Sequence, residues 1–291
     1  MAIPVAVDPS RPGPRSLAAE LWQGIRRDNV TAYAGYLTYL GLLALFPFFV
    51  FLLSLVGLLA AQVDLLGEFI GRASTALPAE AVALLEGPVL RAAQERGTAF
   101  RAGAVVSIGV SALAMSGAMR GLMTALNAIA GVAESRRAVR RFVTSVVLAL
   151  GVALLLVGAL ALALAGDAVS GALVRAGVLG EVAGDLWLVL QWPVLAAAGF
   201  VAFLLMYRFA PAVSEDWRAL RPGALFALVL WLAFSVGFSL YVDAVPRYDA
   251  AYGALAGVVV LMLYMYYSAL VLLTGAELNR VMTRRRAARN A

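Results

Sequence analysis

Three long apolar stretches of this chain end in polar side chains capable of chemistry. Arg120 and Asn127 close one, Tyr207 and Arg208 another, and Glu277 with Asn279 a third. A guanidinium holds a carboxylate or phosphate through two parallel hydrogen bonds, and an Asn amide can fill the remaining donor and acceptor sites. Set at one depth, Arg120, Asn127, Arg208, Glu277 and Asn279 would suit an anionic headgroup or a coupled ion. Glu277 is expected to be ionised and paired with Arg120 or Arg208, because an unpaired charge beside hydrocarbon is expensive. In the competing reading the two arginines snorkel to headgroups and Glu277 is simply exposed.

Much other chemistry is excluded. There is no Cys and no His, so no disulfide, thiol nucleophile, imidazole base or haem ligand can form. Metal-dependent phosphodiester cleavage needs clustered carboxylates, but the 17 acidic residues are scattered and only Glu215 and Asp216 are adjacent. No P-loop, GxSxG or HExxH string occurs. The expectation is no catalytic residue, no cofactor and no metal. All 23 basic residues are Arg, which reads as coding bias, so the pI near 10.0 does not point to nucleic acid.

Aromatic residues give a second pattern. Tyr33, Tyr36 and Tyr39 recur at every third position and make one stripe on a helix that Pro47 should kink. With Tyr207, the residues Tyr36, Tyr39 and Pro47 join the polar set as candidates for a substrate or ion pathway. Trp187, Trp192, Tyr248 and Tyr252 read as an interfacial belt.

The elements that must position these residues follow from composition. The 291 residues are 63% hydrophobic and 14% charged, with mean hydropathy +0.89; a soluble domain is about 25% charged. This excludes a soluble globular enzyme and a disordered chain, and predicts an all-α polytopic membrane protein. Charge-free runs cover 29–63, 102–119, 142–166, 186–207, 222–242 and 250–276. Each, with its flanks, supplies the roughly 20 residues that a crossing needs at about 1.5 Å per residue. The six spans are placed at about 32–61, 102–126, 142–166, 186–207, 222–242 and 252–276 of one membrane domain, 1–291. Gly117-x-x-x-Gly121 and Gly253-x-x-x-Gly257 read as helix-packing positions.

Arginine counts set the orientation. The N-terminal segment, alternate loops and the C-terminal tail hold sixteen, and the other loops six. Both termini are therefore expected to be cytoplasmic. Residues 1–15, with four Pro and one Gly, read as a disordered tail. Residues 16–28 read as an interfacial helix, with Leu17, Leu21, Trp22 and Ile25 on its apolar side. The 62–101 loop, broken at Pro78 and at Gly87-Pro88, is expected to be helical and to cap the outer end of the bundle. Nothing here reads as a cleavable signal peptide.

A family resemblance rests on several strings in order. Tyr39-Leu40-Gly41-Leu42-Leu43-Ala44-Leu45-Phe46-Pro47 resembles the "YYTLLSLFP" segment of the YihY/BrkB family of bacterial inner-membrane proteins, once labelled ribonuclease BN. Ala125-Leu126-Asn127 with Glu134-Ser135-Arg136 resembles its "ALN…E.R" stretch. Tyr207-Arg208-Phe209-Ala210-Pro211, Arg221-Pro222-Gly223-Ala224 and Trp231 resemble "YR..P…PGA…W". Tyr252-Gly253 and Gly275-Ala276-Glu277-Leu278-Asn279 resemble "YG" and "GAELN". The chain departs at Leu40, at Ala44, where the family has Ser, and at Tyr264, where it has Trp. The resemblance implies a six-helix inner-membrane protein connected with envelope lipid handling and virulence traits. The expected function is transport or flippase-like movement of a lipid or other amphiphile; the alternative is a non-catalytic scaffold or partner-binding protein. The expected partners are membrane lipids, an anionic headgroup among them, with no nucleic acid and with room for a homo-oligomer.

Overall fold

The computed structural model describes residues 16–60, 98–175, 181–244 and 254–290. The expected N-terminal tail, the expected helical cap over 62–101 up to residue 97, and the positions of Gly253, Tyr248 and Tyr252 lie outside them. Among the described residues every regular element is a helix. These are α1 (Leu17–Arg27), α2 (Val30–Ala60), α3 (Thr98–Ala130), α4 (Ala138–Arg175), α5 (Glu181–Phe209), α6 (Trp217–Ala244) and α7 (Ala254–Asn290). Six of them, α2 to α7, are long and apolar enough to cross a membrane.

The short helix starts at Ser16, whose hydroxyl accepts the Ala19 N–H at 3.2 Å and so satisfies one of the free donors of the first turn. Glu20 lies in that turn and Arg26 and Arg27 in the last, the order the helix dipole favours. Asn29, at φ 50°, turns the chain from α1 into α2; a left-handed residue here is tolerable because Asn is among the few types that adopt it. At the end of α3, Gly131 adopts φ 71°. The Val132 N–H there returns to the Asn127 carbonyl at 3.0 Å, a glycine-terminated cap.

The six long helices close into a ring. Each packs on the next in sequence from α2 to α7, and α7 returns to pack on α2, with a further contact to α3. The outward surface is apolar: Phe46, Val106, Val147, Trp192, Val236 and Leu240 are exposed, as side chains facing lipid should be. Small polar residues inside the helices satisfy themselves. Thr38, Ser116, Ser145 and Thr274 bond carbonyls three or four residues back in their own helices at 2.6–2.8 Å, so these four hydroxyls need no partner on another helix.

Close approach between α6 and α7 comes at two glycines. A Cβ on Gly223 would lie 2.1 Å from the Gly275 carbonyl oxygen, and one on Gly275 would lie 2.4 Å from the Tyr207 hydroxyl. Of the expected packing glycines, Gly121 does meet α2 closely, through Leu40, but Gly257 faces open space. Spacing alone does not reveal which face of a helix meets a neighbour.

Candidate functional site

The middle of the ring holds an open crevice of about 490 Å³. All six long helices line it: Leu37, Gly41 and Phe48 of α2; Met115 and Met119 of α3; Ala149 and Ala153 of α4; Phe203 of α5; Trp231 of α6; and Tyr264 and Met265 of α7. The wall is almost wholly apolar. Its few polar groups are already engaged, with the Trp231 indole donating to the Ser268 hydroxyl at 3.1 Å and the Tyr264 and Ser235 hydroxyls bonded at 3.1 Å. The volume falls in the range of about 300–1,000 Å³ typical of small-ligand sites. Such a wall suits a hydrocarbon chain, since it offers no free partner for a polar solute.

Of the predicted pathway residues, none lines this crevice. Tyr36 and Tyr39 are on the outward side of α2, Tyr39 at 60% exposure. The crevice is faced instead by Leu37, Gly41, Ala44 and Phe48 of the same helix. Pro47, beside Phe48, is half-buried, and α2 runs through it as continuous helix. Tyr207 is buried and donates to the Leu272 carbonyl at 2.6 Å, tying α5 to α7.

Asn127 and Asn279 are structural brackets at the same end of the bundle. Asn279 receives the Gly223 N–H on its amide oxygen at 2.7 Å and donates to the Leu220 carbonyl at 3.1 Å. It thereby serves the backbone on either side of Pro222, which has no N–H of its own. Asn127 receives the Ala212 N–H at 2.6 Å and donates to Glu134 at 3.1 Å. Glu134 in turn holds Arg136, whose guanidinium also donates to the last carbonyl of α5, Phe209, at 3.1 Å and to that of the next residue, Ala210, at 2.7 Å. The Arg136 hydrogen bonds outweigh burial and hold the Glu134 carboxyl below the usual carboxylate range.

The predicted pairing of Glu277 with Arg120 or Arg208 is corrected. Arg120 donates to the Ser116 hydroxyl at 2.8 Å and lies over the Phe142 ring. Arg208 donates to the Ser214 hydroxyl at 2.8 Å, with Phe209 and Trp217 beneath it. Glu277 faces α1 instead. Its nearest cations are Arg27 at 3.5 Å and Arg280 at 3.8 Å, and both also hold Asp28. The cause is Gly24, the buried residue of α1: a Cβ there would sit 1.9 Å from the Glu277 carboxylate. Without a side chain at that point, α1 lies down on α7 and brings Arg27 and Asp28 to Glu277. The signals available in the sequence were a glycine within an amphipathic helix and a charged Arg-Asp doublet just before the first span.

A ring of six apolar helices around an apolar crevice defines a multi-pass α-helical membrane protein. The chain belongs to the family described as virulence factor BrkB, whose model matches residues 21–291. It is 28% identical over 221 residues to a ribonuclease-like protein, YfkH, of Bacillus subtilis (strain 168), covering 72% of this chain and 75% of that one. It is 33% identical over 230 residues to a UPF0761 membrane protein of Alkalilimnicola ehrlichii, covering 78% of this chain and 47% of the relative. A UPF0761 membrane protein of Pseudoalteromonas translucida is 40% identical over 78 residues, 27% of this chain and 26% of that one. The chain thus spans less than half the length of these two UPF0761 relatives in the matched regions. No solved structure matches.

Proposed function

We propose that this protein takes a lipid or other amphiphile from the bacterial inner membrane into the crevice and moves it, in the manner of a transporter or flippase. The observation that carries this reading is the crevice itself, apolar and bordered by every long helix of a single chain. A scaffold would fill that space with side chains. An anionic headgroup would be held at the α3–α4 seam, where Arg120 follows the crevice residue Met119 and Arg141 donates to Thr124 at 2.9 Å. In this reading the arginine-rich end faces the cytoplasm, and the ribonuclease-like name of one relative does not carry over. Among the described residues no three acidic side chains come together, so a clustered-carboxylate nuclease site finds no residues to build it there.

The test is to fill the crevice. Ala153→Phe adds a ring to a buried position on its wall. With purified protein in vesicles holding a lipid that carries a photoreactive acyl chain, wild type should label within the crevice and Ala153→Phe should lose most of that label. Its thermal midpoint, measured alongside, distinguishes a filled crevice from an unfolded variant. Equal labelling of the two proteins at positions confined to the outer surface would overturn the reading.

A further inference from the structure

Glu277 is the anomaly of the polar end. It is a fully buried charged residue, 0% exposed, and neither carboxylate oxygen has a hydrogen-bond partner. Among the described residues it is the one carboxylate with both oxygens buried and unpartnered: Glu215 lacks a partner on one oxygen only, and Asn127, Asn279 and Glu134 all have donors or acceptors at ordinary distances. A buried carboxylate normally collects several donors or gives up its charge. The two arginines near Glu277 spend their hydrogen bonds on Asp28. Arg27 gives it two, at 3.0 and 2.9 Å, and Arg280 contacts it directly.

Asp28 and Glu277 share both arginines, since Arg27 and Arg280 each lie within 4.0 Å of an oxygen of either carboxylate. Two carboxyl groups gathered around the same cations can bond each other only when one carries a proton. We propose that Asp28 and Glu277 form a proton-binding site, with the proton resident on Glu277 and donated to Asp28, and that its occupancy sets how firmly α1 is held on α7. The site does not depend on what the crevice carries. Asp28 is the acceptor: burial raises its carboxyl, but the Arg27 hydrogen bonds and the Arg280 and Arg27 charges together hold it below the usual range.

The charged groups that face Glu277 are few. Arg27 and Asp28 come from the end of α1, and Arg280 from its own helix, with Arg284 behind it. Just past α3, Gly131 packs against the Arg280 guanidinium. Proton uptake from water turns the Glu277 carboxylate into a carboxylic acid and gives its oxygens the bond they lack. Release leaves a second carboxylate at the α1–α7 contact, where Gly24 already meets Glu277 closely and where Arg27 and Arg280, bonded to Asp28, stay 3.5 and 3.8 Å from the Glu277 oxygens. Docking of α1 should therefore weaken as pH rises.

The experiment uses the full chain in nanodiscs. The protein has no native cysteine, so Ala19→Cys and Ala288→Cys, both exposed, carry the only spin labels. Distances between them are measured from about pH 5 to about pH 9, a range spanning the titration of buried glutamic acids. The label-to-label distribution should be narrow at the acid end and broaden severalfold at the alkaline end. In Glu277→Gln, whose amide supplies the same hydrogen bond permanently, it should stay narrow throughout. Asp28→Asn removes the opposing carboxylate and should also abolish the broadening. In parallel, the infrared band of a protonated carboxyl should titrate in the unlabelled wild type and vanish in Glu277→Gln. A pH-independent distribution in wild type, or broadening that persists in Glu277→Gln, would overturn the proposal. Should neither variant fold, absence of a titrating carboxyl band in wild type would overturn it alone.

Discussion

At the scale of single residues, the side chains that matter are those whose partners are backbone groups. Asn279 stands where α6 and α7 approach through Gly223 and Gly275, too closely for any side chain between them. Its amide fits because it offers one acceptor and one donor to the Gly223 N–H and the Leu220 carbonyl, both drawn into the contact. Asn279→Ala should remove two buried hydrogen bonds to the α6 backbone, a loss of about 0.5–1.5 kcal/mol for each. Thermal unfolding in detergent should show a large drop in midpoint, whereas Thr124→Ala, at an exposed hydroxyl, should fall within about 0.5 kcal/mol of wild type. An Asn279→Ala midpoint equal to that of Thr124→Ala would show that water replaces the amide.

At the scale of elements, the corner after α3 latches the end of α5. Asn127, Glu134 and Arg136 link Ala212, Phe209 and Ala210 into one network, which also neutralises the carbonyl end of α5 with a cation. Glu134 has its folded-state carboxyl lowered by Arg136. Its contribution to stability is therefore fully present above the ordinary Glu value of about 4.3 and is lost as pH falls through the lower folded value. The difference in unfolding midpoint between wild type and Glu134→Gln should be constant near neutrality and shrink in strong acid. A difference that does not change with acid would mean that shape, not charge, holds the latch. The six long helices were legible in the sequence because continuous apolar runs bounded by Arg need no partner to be recognised. The polar brackets were legible only as positions. Asn127 and Asn279 were placed at the right end of the right helices, but what they bond depends on helix approach, and that is set by glycines whose facing is invisible to spacing. The partner of Glu277 was missed for the same reason: the Arg280–Asp28 contact that frames it joins residues 252 apart, through a helix read as lying on the membrane rather than on the bundle.

At the scale of the whole molecule, an even number of crossings brings both ends of the chain to one side. The structure ties those ends together, since Arg285 near the end of α7 bonds Glu20 of α1 at 2.8 Å. We propose that this side is the cytoplasm: with six spans, the loops and tails that share a side with the termini would hold sixteen arginines and the others six, and positive loops tend to be retained in the cytoplasm. The absence of cysteine makes the orientation directly measurable. Ala288→Cys lies at the exposed end of α7 and Val242→Cys at the far end of α6. In spheroplasts, a membrane-impermeant maleimide should label Val242→Cys and leave Ala288→Cys unlabelled until the membrane is permeabilised. Labelling of Ala288→Cys alone would reverse the orientation and move the Asp28–Glu277 pair to the outer face, where it would meet the pH outside the membrane instead of the cytoplasmic one. Labelling of both without permeabilisation would mean that the chain crosses an odd number of times, which the contact between Arg285 and Glu20 forbids within one molecule.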